Sequence, residues 1–478
     1  MKGRRSYKFR PASQSSMYSS ARPSSRTKIN MRIAVIGSGI SGLSTAWLLS
    51  SDHDVTLFER NPRLGGHSNT VEIDHNGTRI AVDTGFIVYN EATYPNLISM
   101  FAHLGVPTQI SEMSFSVSVA DGALEYEGSL RGAAVQPINL LKPWYWAMWR
   151  DIVKFYNSAP AALDDDAAAD LSLGTYLERE GYGAVFRVHH LLPMAAAIWS
   201  CPMKTMLEFP VRSFVRFFVN HGLFNLTSRP AWHTVVGGSQ VYVDKLAQAL
   251  KGTIRLSNAV QSVKRQDTGV LVTDKAGERI LFDHVVIASH GDEALAVLDD
   301  PTDQERNLLS AFTYQTNTAI LHRDPSQMPH RQRAWASWNH MARDANDLEQ
   351  KVSLTYWMNR LQNIDHRYPL FVTMNPFRAP DPELVFETFS YEHPVFDQAA
   401  VAAQDGLPTI QGQNRTWFCG SYCGYGFHED GLKAGIAVAR AFGVNIPWTT
   451  SVCPASQPPS QTEKQVTASQ QSLAPGGG

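Results

Sequence analysis

Three glycines at fixed spacing, Gly37, Gly39 and Gly42, separate a short apolar run from a helix-forming stretch. In this pattern the first glycine allows a tight turn, and the second lets the backbone approach a diphosphate group. The third lets the helix pack closely on the preceding strand. Ile40 and Ser41 lie in the first turn of that helix, whose N–H groups and dipole favour bound phosphate. The segment therefore predicts a loop that binds the diphosphate of a nucleotide.

A carboxylate follows at the distance that such a loop requires. Glu59 comes directly after a second apolar run, Val55–Phe58, and lies 17 positions after the last of the three glycines. An acid at this place accepts hydrogen bonds from both ribose hydroxyls and repels the additional phosphate of an NADP. With the strand Arg32–Ile36 and the helix Leu43–Leu49, the segment predicts a strand–helix–strand unit that binds a dinucleotide and starts at Met31. The motif alone does not distinguish NAD from FAD.

The composition limits the other classes of function. The 478 residues are 43% hydrophobic and 18% charged, and no apolar run is long enough to predict a membrane-spanning helix. Residues 1–30 hold eight Lys or Arg and no acid, whereas residues 31–478 hold 34 basic and 44 acidic side chains, a net charge of −10. This net negative charge argues against nucleic acid as a partner, because the phosphate backbone is negatively charged as well. Four cysteines form neither a disulfide framework nor a zinc site, so we expect a reducing, cytoplasmic setting and no bound metal.

Both ends of the chain differ in composition from the rest. Residues 1–30 are rich in Ser and Arg, and we expect a disordered tail or a mis-assigned start, with a targeting segment as the alternative. Residues 451–478 are rich in Ser, Gln, Pro and Gly and are predicted to be disordered.

A second glycine pair follows the ribose-binding acid. In Glu59–His67 (ERNPRLGGH), Gly65 and Gly66 let another backbone segment lie against the diphosphate of an extended cofactor. This run resembles the flavin amine oxidase superfamily, which includes monoamine oxidases, protoporphyrinogen oxidases and phytoene desaturases. The resemblance implies FAD, with Arg60 and the residue after the glycine pair among its contacts. That residue is commonly Arg in the superfamily and is His67 here.

Three later segments support the same resemblance. Asp83–Phe86 (DTGF) is similar to the passage beside the flavin, and implies contacts from Thr84 and Gly85. Asn258–Val263 (NAVQSV) is similar to a returning strand, where the backbone near Val260 would pair with the adenine.

The third segment, Trp417–Gly435, resembles the C-terminal motif that closes the flavin site. There a strand delivers an acid to the ribityl chain, and a helix N-terminus points at the flavin C2 carbonyl, where its dipole stabilises the reduced flavin. In this sequence Ser421 replaces the usual acid. The resemblance implies FAD contacts from four residues of this segment: Gly420, Ser421, Gly431 and Leu432.

Candidate catalytic side chains lie inside this motif, namely Tyr425, Phe427, His428 and Glu429. The resemblance places Phe427 where amine oxidases have one tyrosine of the pair that flanks the substrate amine. His428 or Glu429 is a candidate proton donor or acceptor, with a structural role as the alternative. Amine oxidases also place a lysine near flavin N5, whereas the corresponding strand here, Tyr314–Leu321, has none. This departure argues against simple amine oxidation.

The segments together predict an α/β fold: a Rossmann-like FAD-binding domain with a parallel sheet, interleaved with an α+β substrate domain that contains a mixed sheet. The predicted FAD-binding domain takes residues 31–110, 232–300 and 410–445, and the substrate domain takes residues 111–231 and 301–409. Within the latter, Ala334–Asn339 and Val352–Asn359 are predicted strands. Apolar residues at helical spacing between Tyr145 and Tyr156 predict either a core helix or a helix that lies in a membrane interface.

Arg333–Asn339 (RAWASWN) and Gly424–Gly431 (GYGFHEDG) carry the most specific resemblance. They are similar to a bacterial group of FAD-binding oxidoreductases and to the N-terminal flavin domain of plant cyclopropane fatty acid synthases. This resemblance implies desaturation, isomerisation or oxidation of unsaturated or cyclopropane-modified acyl chains, with hydride transfer to flavin N5. Two alternatives stay open: an amine or polyamine oxidase, and a non-catalytic flavoprotein that associates with a methyltransferase of the cyclopropane-synthase type. A lipid substrate would also imply peripheral contact with a membrane.

Overall fold

The computed structural model describes residues 30–129, 131–225 and 230–448. The predicted tail at 451–478 and residues 1–29 of the predicted basic tail lie outside the described residues. The strands are β1 (Arg32–Ile36), β2 (Asp54–Phe58), β3 (Thr70–His75), β4 (Thr78–Asp83), β5 (Tyr89–Asn90), β6 (Thr108–Ser111), β7 (Phe115–Val119), β8 (Leu124–Glu127), β9 (Trp232–Val235), β10 (Thr253–Arg255), β11 (Val260–Gln266), β12 (Gly269–Asp274), β13 (Arg279–Phe282), β14 (His284–Ile287), β15 (Thr313–His322), β16 (Trp338–Ala342), β17 (Ser353–Trp357), β18 (Phe371–Met374), β19 (Val385–Val395) and β20 (Thr416–Phe418).

The α-helices are distributed among these strands, and α3 to α8 follow one another between β8 and β9. They are α1 (Ile40–Leu49), α2 (Pro95–Leu104), α3 (Pro143–Ser158), α4 (Leu173–Arg179), α5 (Ala184–Phe186), α6 (Leu192–Trp199), α7 (Met203–Leu207), α8 (Val211–Asn220), α9 (Gln240–Ala249), α10 (Gly291–Ala296), α11 (Asp303–Leu309), α12 (Met358–Leu361), α13 (Gln398–Gly406) and α14 (His428–Ala441). Within the described residues, none of the helices combines the length and the apolar character needed to cross a bilayer.

A parallel sheet carries the predicted strand–helix–strand unit. Its five strands lie in the order β10–β2–β1–β14–β20, and every neighbouring pair is parallel. The central strand β1 has four of its five residues buried, as expected for a strand covered on both faces. Helix α1 connects β1 to β2 and packs against α14 from the C-terminal region. The predicted Rossmann-like sheet is confirmed.

A seven-stranded mixed sheet forms the second layer, in the order β19–β15–β18–β17–β16–β7–β8. Its neighbouring strands are antiparallel, except that β16 and β7 are parallel. Helices α3 to α8 share one apolar core with β7 and β8, which includes Val117, Tyr126, Phe155 and Phe214. The predicted α+β unit with a mixed sheet is also confirmed, and the helix predicted around Tyr145–Tyr156 is α3.

The predicted strand Ala334–Asn339 is wrong in its first four residues. A 3-10 turn covers Gln332–Ala334, and β16 begins only at Trp338. The side chain of Asn339 causes the difference, because it accepts the N–H of Ala336 at 2.8 Å and donates to the carbonyl O of Ala336 at 2.7 Å. These bonds hold the backbone in a turn where the residue types alone favoured a strand.

Candidate active site

The three-glycine loop connects β1 to α1 and lies on the wall of a large cavity. Gly37, with a φ of +99°, donates its N–H to the carbonyl O of Phe58 at 2.9 Å. A Cβ on Gly42 would lie 1.9 Å from the carbonyl O of Gly37, so the helix packs directly on the loop. A Cβ on Gly39 would meet no atom within 4 Å. Gly39 and Ile40–Ser41 line the cavity, so the loop and the start of α1 face open space where the pattern predicts a diphosphate.

The second glycine pair contacts this loop. Gly65 donates its N–H to the carbonyl O of Ser38 at 3.1 Å, and a Cβ on Gly66 would lie 3.1 Å from the Cα of Gly39. Both glycines of the pair have a positive φ, +106° and +58°. Arg63, which the sequence pattern did not single out, donates to the carbonyl O of Gly66 at 2.9 Å. Its guanidinium therefore holds the second segment in place against the first.

Glu59 joins the end of β2 to the glycine loop. One carboxylate oxygen accepts hydrogen bonds from the N–H and Oγ of Ser38 at 3.0 and 2.5 Å, and the other accepts the N–H of Asn61 at 2.8 Å. The neighbouring Arg60 forms an ion pair with Glu293 of α10, with 2.5 Å between Nη1 and Oε1. Glu59 and Arg60 both line the cavity, so both lie where the predicted ribose and diphosphate would pass.

Three histidines meet on the cavity wall next to the glycine pair. The ring centroid of His67 lies 5.4 Å from that of His393 and 6.3 Å from that of His290. Burial, followed by repulsion from these histidines and His428, holds the pKa of His67 well below its ordinary value. Its Nε2 is buried and has no hydrogen-bond partner among the described residues. Because a buried polar atom without a partner is unfavourable, this nitrogen fits a site that a bound polar group completes.

The Asp83–Phe86 passage lies directly against this histidine. A Cβ on Gly85 would lie 2.1 Å from the carbonyl O of His67, so only glycine allows the two backbones to touch. Burial raises the pKa of Asp83 to about 6, although its carboxylate accepts the N–H and Oγ of Ser239 at 2.8 and 2.7 Å. These bonds tie the passage to the start of α9. Thr84 and Gly85 line the cavity, and Asp83 fixes their position.

Two strand ends from the middle of the chain complete this end of the cavity. Val260 begins β11, and its pairing with β12 is irregular between Val260 and Ser262. Ala288 and Ser289 follow β14 directly. Val260, Ala288 and Ser289 all line the cavity, and the small side chains after β14 leave it open.

The C-terminal motif contributes to both the wall and its support. Gly420 and Ser421 follow β20 and line the cavity, whereas Gly431 and Leu432 do not. A Cβ on Gly431 would lie 2.7 Å from Oγ of Ser41, and Leu432 is fully buried. Gly431 and Leu432 therefore pack α14 against α1 behind the predicted cofactor site.

The candidate catalytic residues do not share one environment. Tyr425 and Phe427 line the cavity and lie against Phe217 of α8, with ring centroids 5.7 and 5.1 Å away. His428 also lines the cavity, but its Nε2 lies 2.9 Å from Oγ of Ser68, and burial lowers its pKa to about 3. Nε2 of His428 is already engaged by the hydroxyls of Ser68 and Tyr242, so Tyr425 and Phe427 are better placed than His428 for contact with a substrate.

Glu429 lies behind the wall rather than on it. Its carboxylate accepts the N–H and Nδ2–H of Asn96 at 3.1 and 2.7 Å and the N–H of Leu97 at 3.0 Å. These donors belong to the first turn of α2, where a negative charge is stabilising. Glu429 does not line the cavity, so its contacts hold α2 against α14. A role in proton transfer finds no support in this geometry.

His221, just after α8, is a cavity residue that the sequence did not indicate. Its Nδ1 donates to the carbonyl O of Phe217 at 2.9 Å, which leaves Nε2 as the acceptor of the neutral ring. Burial lowers the pKa of His221 to about 4, against the smaller opposing effect of that hydrogen bond. Its ring centroid lies 5.8 Å from that of Phe427. No motif marks such a histidine, because only the packing of α8 against the C-terminal segment brings it to the site.

The cavity has a volume of about 1190 Å³, above the range of about 300 to 1,000 Å³ that is common for a single small ligand. It therefore has room for a dinucleotide and a substrate together. We call its part between α3, α6, α8 and the mixed sheet the inner chamber. Residues that line the inner chamber include Trp149, Ile152, Met194, Ile198, Phe217 and Tyr356.

Charge is confined to the other end of the cavity. The charged residues among its described lining are Glu59, Arg60, Arg63, Glu293 and Glu392, all near the glycine loop or the three histidines. The inner chamber is thus aromatic and aliphatic, with hydroxyl, imidazole and indole N–H groups as its polar groups.

A parallel sheet with a glycine loop after its central strand, beside an aromatic chamber over a mixed sheet, is typical of flavin-dependent oxidoreductases. The sequence matches the family described as "Flavin containing amine oxidoreductase" over residues 40–366. The chain belongs to this family, and its cofactor is FAD.

Curated relatives match over short segments. The chain is 30% identical over 132 residues to the carotenoid phi-ring synthase of Chlorobaculum tepidum, which covers 27% of this chain and 20% of the relative. It is 47% identical over 45 residues to a 4,4'-diapophytoene desaturase of Staphylococcus aureus, or 9% of each protein. The matches thus span a fifth or less of the length of these relatives.

Solved structures match over most of the fold. A CLA-producing fatty acid isomerase from P. acnes has a TM-score of 0.59 at 16% identity, over 86% of this chain and 98% of that chain. Putrescine oxidase bound to putrescine has a TM-score of 0.62 at 15% identity, over 87% of this chain and 100% of that chain. Cyclohexylamine oxidase from Brevibacterium oxydans has a TM-score of 0.61 at 14% identity, over 87% and 99%. At these identities the likeness establishes the shared fold.

Proposed function

We propose that the protein desaturates, isomerises or oxidises a long apolar chain, with an unsaturated or cyclopropane-modified fatty acyl chain as its substrate. The uncharged inner chamber is the observation that carries this proposal. A saturated or unsaturated hydrocarbon chain gains free energy from such a lining in proportion to the apolar area that it buries. An ammonium group would lose its hydration there without a carboxylate to replace it.

The amine oxidase alternative has support from the family and from aromatic rings that could hold a cation. Two charged groups would distinguish an amine oxidase: a carboxylate beside the substrate ammonium group and a lysine near flavin N5. The charged residues of the cavity lie at the cofactor end, and no lysine lines the cavity in the described part of the chain. Among the relatives, carotenoid desaturases and a fatty acid isomerase act on the kind of apolar chain that this lining favours.

When bound, FAD accepts a hydride at N5 from a substrate C–H bond. The chain supplies the surroundings for this chemistry. The glycine loop and the start of α1 hold the diphosphate, and Tyr425, Phe427 and Phe217 confine the substrate and exclude water. His221 Nε2 is an acceptor for a proton lost from the neighbouring carbon, because the ring is neutral at pH 7. Loss of a hydride and a proton from adjacent carbons leaves a new double bond.

The fate of the electron pair separates the proposed reactions. Desaturation transfers it to an external oxidant, such as a quinone or molecular oxygen. Isomerisation returns both the hydride and the proton to other carbons of the same chain and needs no external acceptor. Both outcomes are compatible with the chamber, so the experiment must detect each of them.

The test is anaerobic incubation of the purified flavoprotein with an unsaturated fatty acid, with its phospholipid ester, and with putrescine. We expect the lipids, and not the amine, either to bleach the flavin absorbance or to yield a positional isomer by mass spectrometry. His221→Asn places an amide N–H at the position of Nδ1, where it can keep the hydrogen bond to the Phe217 carbonyl O, and removes the base, so it should retain flavin and lose product. Bleaching by putrescine alone would refute the proposal. Bound flavin that responds to none of the three would favour the alternative of a non-catalytic partner protein.

A further inference from the structure

Exposed apolar side chains are concentrated in one segment on the outside of the helical layer. Of the large hydrophobic residues exposed in the described part of the chain, Ile138, Leu141, Trp146 and Val153 are 60%, 78%, 57% and 45% exposed. We call these four side chains the apolar ridge. Trp146 and Val153 are seven positions apart on α3 and share its outer face, while Ile138 and Leu141 lie in the 3-10 turn just before the helix.

The apolar ridge is held in place by the structure beneath it. Nε1 of Trp146 donates to the carbonyl O of Leu140 at 2.7 Å, which fixes the indole against the 3-10 turn. The hydroxyl of Tyr145, on the buried face of α3, donates to the carbonyl O of Ala133 at 2.7 Å. Asn139 is fully buried and accepts Nζ of Lys142 at 2.8 Å. The side chains are therefore presented to solvent by an ordered scaffold, although water is a poor environment for them.

Positive charge surrounds the apolar ridge in an otherwise acidic protein. Residues 131–158 contain four bases, Arg131, Lys142, Arg150 and Lys154, and a single acid, Asp151. Asp151 is only 4% exposed and accepts hydrogen bonds from Arg150 at 3.1 and 3.0 Å and from Gly183 at 3.0 Å. The exposed surface of this segment is thus cationic, whereas residues 31–478 carry a net charge of −10. Apolar side chains flanked by bases match the headgroup region of an anionic bilayer.

The inner face of the same helix lines the substrate cavity. Trp149, Ile152 and Tyr156 face the inner chamber, while Trp146 and Val153 of the same helix are exposed. A single helix therefore separates the apolar ridge from the chamber. We propose that the apolar ridge docks into the surface of a bilayer rich in anionic phospholipid, so that an acyl chain reaches the inner chamber without crossing water. The docking surface stands on its own observations, and the transfer of an acyl chain rests on the proposed function.

The test measures binding of the FAD-loaded full chain to vesicles by co-sedimentation. The two preparations are phosphatidylcholine alone and phosphatidylcholine mixed with phosphatidylglycerol. We expect binding to the anionic vesicles that weakens as salt is raised. Leu141→Asp and Trp146→Asp should each weaken it by roughly tenfold, because each removes an apolar side chain from the contact. Arg150→Gln should weaken it by about fivefold on anionic vesicles only.

Ile110→Asp is the matched control, since Ile110 is 71% exposed but lies on β6, outside the cationic segment 131–158. It should bind vesicles as the unmodified protein does. Flavin content of both ridge variants should stay unchanged, and so should thermal unfolding of Leu141→Asp, whose side chain is 78% exposed. Absence of binding to anionic vesicles, or equal binding by Leu141→Asp, would overturn the docking surface. Self-association that Leu141→Asp abolishes, without any vesicle binding, would identify a second copy of the chain as the true occupant. Vesicle binding without lipid turnover would leave the docking surface intact and remove the proposed substrate instead.

Discussion

Two glycines of the same loop should respond to alanine in opposite ways. A Cβ on Gly39 would project into the open cavity with no atom within 4 Å, whereas a Cβ on Gly42 would lie 1.9 Å from the carbonyl O of Gly37. Gly39→Ala therefore changes the space available to the cofactor and little else. Gly42→Ala forces two backbone segments apart. Comparison of the two variants therefore distinguishes an effect on FAD binding from an effect on the folding of the loop that binds FAD.

The expected magnitudes follow from these distances. Gly39 has φ −61° and ψ 179°, a conformation open to alanine, so we expect the FAD-free protein to lose no stability and to gain up to about 1 kcal/mol. A methyl group pressed against a bound diphosphate should cost about 1–3 kcal/mol, which weakens FAD binding by about 5-fold to about 150-fold. For Gly42→Ala, a gain of about 1 kcal/mol in helix propensity cannot offset the clash, which should cost about 3 kcal/mol or more.

The assay uses FAD-free protein prepared from each variant. Urea unfolding followed by circular dichroism gives the stability, and quenching of FAD fluorescence gives the dissociation constant. Gly39→Ala should unfold as the unmodified protein does and bind FAD weakly, while Gly42→Ala should unfold at lower urea. If Gly39→Ala bound FAD with unchanged affinity, the diphosphate would not pass over Gly39, and the placement of the cofactor would be refuted.

Three further predictions concern residues around the cavity. His221→Asn should reduce turnover of an acyl substrate by about tenfold or more while leaving flavin content unchanged, as measured by product formation per bound flavin; equal turnover would remove His221 as the base. Burial and repulsion from His290 lower the pKa of His393 to about 4. As the pH drops, the unfolded chain therefore binds a proton at this residue before the folded chain does. The free energy of unfolding should consequently fall between about pH 6.5 and pH 4. In urea unfolding, His393→Asn should reduce this pH dependence of the free energy of unfolding, whereas His366→Asn, at an exposed histidine, should not. An equal pH dependence in the two variants would contradict the role given to His393. Glu429→Gln, which weakens the bonds to α2, should lower the free energy of unfolding by about 1–3 kcal/mol, and an unchanged thermal midpoint would show that the bonds contribute little.

The parts of the site that depend on neighbouring residues in the sequence could be predicted from it. The glycine loop, the acid at Glu59 and the strand–helix–strand order follow from local spacing, and the parallel sheet has the predicted form. Gly420 and Ser421 could be placed because they belong to a motif with its own pattern. Such motifs carry their geometry in consecutive residues, so little of it depends on the remainder of the fold.

The side chains that depend on long-range packing could not be predicted. Glu429 was a candidate proton donor or acceptor with a structural role as the alternative, and its carboxylate accepts hydrogen bonds from N–H groups of α2, more than 330 positions earlier in the chain. His221 and the contact between His67 and His393 arise in the same way, from elements far apart in sequence. The strand predicted at Ala334–Asn339 was wrong in its first four residues because a single side chain, that of Asn339, redirects the backbone.

The closure of the site by β20 and α14 has a consequence for how the protein is made. Gly37 and Gly420 line one cavity although they lie 383 positions apart. At the usual rate of synthesis, about 5–20 residues per second, the second half of the site leaves the ribosome about 20–80 s after the first. During that interval the surface of α1 that packs against α14 is uncovered. Gly431 and Gly435, which let the two helices pack closely because they have no side chain, have yet to be made. Cofactor capture then follows the synthesis of α14, and the colour of the flavin marks a chain in which the two parts of the site have come together.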